Sequence, residues 1–88
     1  MDQITVEALS LQTNAAIIRL PGRSFPGMVM QGDTLRALLG DIEEVQQMVA
    51  GIGRPELEEA VRALHDNIAG RLRFYERTLD QHGIKKPY

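Results

Sequence analysis

The sequence predicts an α+β protein, a three-stranded antiparallel β-meander followed by an α-helical hairpin in the order β-β-β-α-α. Three observations predict it. Apolar residues alternate with a period of two near the start of the chain, and from Leu35 onward they recur at helical spacing. Pro-Gly pairs and a glycine-rich break separate these segments. The 88 residues fit one domain. Within it we expect the meander at 1–33, the first helix at 34–50, the second at 55–82 and a tail at 83–88. Apolar residues form 43% of the chain and charged residues 25%, a globular balance that argues against disorder.

In the first strand Ile4, Val6 and Ala8 alternate with Thr5, Glu7 and Leu9, which suits one buried face. Gln12-Thr13-Asn14 interrupts two apolar runs and predicts a hairpin turn, with Asn14 able to take a left-handed conformation. Ala15 to Leu20 read as the second strand, which Pro21 ends because it cannot donate to a ladder. Pro21-Gly22 and Pro26-Gly27 make residues 21–27 a loop anchored by Phe25, and Met28 to Gln31 read as a short third strand. One face of this sheet is expected against the helical hairpin, the other in solvent or under a partner.

After Gly32, Asp33 is placed to cap a helix by accepting from first-turn N–H groups. Leu35, Leu38, Leu39, Ile42, Val45 and Val49 then follow helical spacing. Gly51 to Arg54 break that helix, and Pro55 suits the first position of the next. There Leu57, Val61, Leu64, Ile68, Leu72, Tyr75 and Leu79 form an apolar stripe, and Gly83 is the expected C-terminal cap. At 1.5 Å per residue the first helix is about 25 Å long and the second about 42 Å. The shorter elements cannot cover the whole stripe, so its end around Leu72, Tyr75 and Leu79 is expected to meet a second copy of the chain or another protein.

Composition narrows the function. The absence of cysteine excludes disulfides, thiolate metal sites and cysteine nucleophiles. A net charge of −2 does not suit a protein that binds nucleic acid by neutralising phosphates. No apolar run reaches membrane-spanning length, and Met1-Asp2-Gln3 lacks the basic start of a signal peptide, so a soluble cytoplasmic protein is expected. Acids dominate between Asp41 and Asp66, and bases dominate from Arg71 onward. Dipole compensation within the second helix is the ordinary reading. Antiparallel pairing of two copies is the sharper one, placing Glu58 and Glu59 near Arg71 and Arg73 of the partner.

No catalytic constellation, cofactor site or metal site is legible. The helical neighbours of His65 are Val61, Arg62, Ile68 and Ala69, and those of His82 include Thr78 and Leu79, none of them a metal ligand at chelating spacing. The Gly32-Asp33 helix start has no following lysine and carries its own negative charge, so it reads as capping rather than as a phosphate loop. Neither Ser10 nor Ser24 lies in a nucleophile elbow, and the adjacent pairs Glu43-Glu44 and Glu58-Glu59 diverge on a helix. A junction of Arg19, Arg23, Phe25 and Gln31 is the candidate for a carboxylate or phosphate ligand, against the plainer reading of Arg19 paired with Glu7 across the strands.

The run from Arg19 to Leu35, with two Pro-Gly turns and a Gly-Asp helix start, resembles a segment of a family of small, stand-alone bacterial proteins of unknown function. The resemblance implies a bacterial, cytosolic, single-domain protein, with no catalytic residue or cofactor to carry over. The expected function is a non-enzymatic module that binds protein, homodimeric through the second helix; an immunity, antidote or accessory protein is one such role. The alternative is a small-ligand or anion sensor at the 19–36 junction.

Overall fold

The computed structural model describes residues 1–12 and 15–88. Its elements are β1 (Glu7–Ser10), β2 (Ile17–Arg19), β3 (Gly27–Met28), α1 (Gly32–Ala50) and α2 (Pro55–Gln81). The chain is α+β, a three-stranded antiparallel sheet followed by two helices. It divides into two compact units, Met1–Gln31 and Gly32–Tyr88.

In the first unit the strands lie in the order β1-β2-β3. Glu7 pairs with Arg19, Ala8 with Ile18 and Ser10 with Ile17, so a bulge falls between Ala8 and Ser10. Ile17 pairs with Met28 and Ile18 with Gly27, and the Val29 N–H adds a last bond to the Ala16 carbonyl at 2.8 Å. All three strands are shorter than their sequence patterns. The bulge interrupts the first, and β2 gives way at Leu20-Pro21-Gly22-Arg23 to a type II turn. There the Arg23 N–H donates to the Leu20 carbonyl at 3.2 Å and Gly22 takes φ 77°, as the third position of that turn requires. The expected turn at Gln12–Asn14 falls on Thr13 and Asn14, outside the described residues. No described residue of this unit is buried.

The second unit is an antiparallel helical hairpin. Leu39, Ala69 and Leu72 are buried together, with Leu35, Ile68 and Tyr75 packed against them. Gly32 lies against the ring of Tyr75, which occupies the space a Cβ would need. α1 thus begins level with Tyr75. At 1.5 Å per residue, the eight-residue difference between the 19 residues of α1 and the 27 of α2 is about 12 Å.

Two details of the expected helix ends are corrected. α1 starts at Gly32, so Asp33 is its second residue rather than the preceding cap. Its Oδ1 accepts from the Thr34 N–H at 2.9 Å, and its charge still faces the positive helix end. At the same end of the hairpin, the last turn of α2 holds no base, so its charge order is not completed at the C-terminus. Pro55 does open α2, after Arg54 in extended backbone. Gly83, at φ 65°, closes it in a Schellman arrangement. The Ile84 N–H donates to the Leu79 carbonyl at 2.9 Å and the Gly83 N–H to the Asp80 carbonyl at 3.2 Å.

Candidate functional site

The two flanks of the hairpin differ in chemistry. On one, Arg36 Nη1 lies 3.5 Å from Glu43 Oε1, and Glu43 Oε2 lies 3.9 Å from His65 Nε2. His65 Nδ1 is in turn 3.2 Å from Asp66 Oδ1. The other flank is apolar. Ile42 and Val45 of α1 meet Val61 and Leu64 of α2 around an open hollow of about 140 Å³, with Asp41 at its edge. Val45 is 46% exposed and Leu64 54%, and Leu57 and Ile52 are also exposed toward the loop end of the hairpin.

This relocates the uncovered part of the stripe. Leu72, expected at an interface with a second copy, is instead buried, 5% exposed and packed with Leu39 and Ala69. α1 reaches as far as Tyr75, and the tail accounts for what lies beyond. After the Schellman turn the tail runs back along α2, where the Tyr88 hydroxyl donates to Glu76 Oε2 at 2.6 Å and Lys86 Nζ lies 4.0 Å from the same oxygen. Partial desolvation, the hydrogen bond to Glu76 and the Glu76 charge push the Tyr88 phenol up to about 12, with Arg36 opposing. Tyr75 and Leu79 are therefore half-buried rather than bare.

Glu58 is half-buried beside Gln46, Val49, Ala50, Val61 and Arg62, and Glu59 is exposed. Arg71 Nε donates to Asn67 Oδ1 at 2.9 Å, one turn back on its own helix. Among the described residues, Glu58, Glu59, Arg71 and Arg73 form no ion pair within the chain. Arg54 and Glu56 contact one another at the start of α2. That guanidinium, followed by the Glu56 backbone N–H, holds the Glu56 carboxyl below its usual range.

In the meander, Arg19 is engaged as the plainer sequence reading has it. Its Nε lies 3.8 Å from Glu7 Oε2, out of water and short of a hydrogen bond, and its Nη1 reaches the Ser24 carbonyl at 3.4 Å. Arg19 and Arg23 line one shallow depression with Glu7. Arg23 and Phe25 also line a second hollow, with Ile18, Leu20, Gly27, Met28 and Val29. Gln31 lines neither, so the expected four-residue junction divides. Gly27, which sequence reasoning treated only as a turn residue, sits in the ladder opposite Ile18 at the second hollow. The available signal was a glycine adjoining a strand, where a side chain is missing from the sheet face.

Among the described residues, no group of three histidine or acidic side chains is placed to hold a metal, and no helix is long and apolar enough to cross a membrane. A family model described as "Family of unknown function (DUF6959)" matches residues 1–88. No curated protein and no solved structure matches the chain.

Proposed function

Since the chain belongs to that family of unknown function, DUF6959, we propose from the geometry that it is a non-enzymatic interaction module that pairs with a second copy through the apolar flank of its hairpin. The observation that carries this reading is the open face around Val45 and Leu64. One pair of helices leaves such a face in water, and two hairpins brought face to face enclose it as a four-helix bundle. Of the four charged residues expected to pair between copies, only Arg71 shares the Leu64 side of α2. At about 100° per residue Glu58, Glu59 and Arg73 lie about a third to a half turn away, so the pairing rests on the apolar flank rather than on these charges. This reading keeps the second helix as the dimer element and moves its centre from Leu72 to Leu64. The resemblance of residues 19–35 supports a bacterial, cytosolic setting, and an accessory or antidote role is compatible with a small dimeric module.

The test is light scattering coupled to size exclusion over a range of concentrations. The wild type should approach twice 9.8 kDa, whereas Leu64→Glu should stay monomeric with unchanged helical circular dichroism. A wild type that remains monomeric throughout would end the proposal.

A further inference from the structure

The hollow on the meander is lined by Ile18, Leu20, Phe25, Met28 and Val29 and measures about 360 Å³, within the range of small-molecule sites. Arg23 is the one charged residue in its wall. Among the described residues its guanidinium has no hydrogen bond or ion pair.

Gly27 supplies the second observation. It stands opposite Ile18 in the antiparallel ladder, so it belongs to the face that Ile18 presents to the hollow. A Cβ built there meets nothing within 4 Å, and the backbone is not left-handed. Neither crowding nor turn geometry asks for glycine at this position. What the missing side chain does is keep the hollow open. Phe25 at its wall is 84% exposed, a large apolar surface that a bound group would take out of water.

We propose that this hollow binds a small monocarboxylate with a branched aliphatic or aromatic body, the body over Gly27 and against Phe25, the carboxylate on Arg23. The planar guanidinium matches a carboxylate with two parallel hydrogen bonds. A phosphate is disfavoured because Arg19, the cation that shares the adjoining depression with Arg23, is held by Glu7, whose own charge lines it too. The proposal goes beyond hairpin pairing and stands whether or not the chain dimerises.

The experiment is an amide-resolved NMR titration of the full-length protein with isovalerate and phenylacetate, set against phenylacetamide and inorganic phosphate. Both carboxylates should shift the amides of Ile18, Leu20, Phe25 and Val29. Gly27→Ile, which fills the hollow, should abolish those shifts. Arg23→Gln, which removes the charge and the paired donors, should weaken phenylacetate about tenfold or more and bring it level with phenylacetamide. Absent shifts, shifts spread over the hairpin, phosphate binding as tightly as phenylacetate, or binding unchanged in Gly27→Ile would each overturn the assignment. Should Gly27→Ile lose the amide dispersion of the meander, Gly27→Val and Arg23→Gln decide the matter by the same readouts.

Discussion

The hairpin and the meander use their apolar residues in opposite ways. In the hairpin, Leu39, Ile42, Val49, Ala69 and Leu72 are buried. The meander is no poorer in such side chains, yet Ile4, Leu9, Leu11, Phe25, Met28 and Met30 are all exposed, and none of its described residues is buried. A sheet of three short strands has little stability without a packed face. The difference teaches where burial resides: the hairpin holds the packed core, and the meander leaves its apolar side chains exposed.

Substitutions sharpen the contrast in descending order of effect. Leu72→Ala should destabilise the protein by about 2–5 kcal/mol through lost burial and a cavity against Leu39 and Ala69, enough to consume much of a small domain's stability; urea denaturation followed by circular dichroism reads it. Gly32→Ala should cost about 1–3 kcal/mol by displacing the Tyr75 ring, less the up to about 1 kcal/mol that a helical alanine recovers, and would be read by the same denaturation.

The tail gives a smaller effect with a pH signature. The phenol of Tyr88 is raised from its ordinary value near 10 to about 12 in the folded chain, so the folded state holds that proton more tightly. Its contribution is complete below pH 10 and is lost as the pH rises toward 12. Thermal melts over that window should show Tyr88→Phe with a flatter pH dependence than the wild type and, at neutral pH, a loss of less than about 1 kcal/mol. Smallest of all, Phe25→Ser should change stability by no more than about 0.5 kcal/mol because so little of the ring is buried. A loss from Phe25→Ser as large as that from Leu72→Ala would break the contrast.

Much of the fold was legible. Alternation, helical spacing, Pro55 and Gly83 give the element order and both ends of α2, because each is a local property of backbone or periodicity. The Glu7–Arg19 pairing was legible too, since the strand pattern places these residues across from one another. The covered part of the helical stripe was not. Spacing shows that Leu57 to Leu79 share a face but not which half α1 covers, and the return of Tyr88 to Glu76 is a contact across twelve residues with no periodic signature. The meander hollow was hidden for a related reason. Its walls come from strand and loop, and its floor is a missing side chain at Gly27.

The most direct test of the contrast is native-state hydrogen exchange on the full-length protein, resolved by residue. Amides of α1 and α2 around Leu39, Ala69 and Leu72 should exchange only through global unfolding, while those of β1 to β3 exchange through openings of much lower free energy. Equal protection of the two regions, or slower exchange in the meander, would contradict the account.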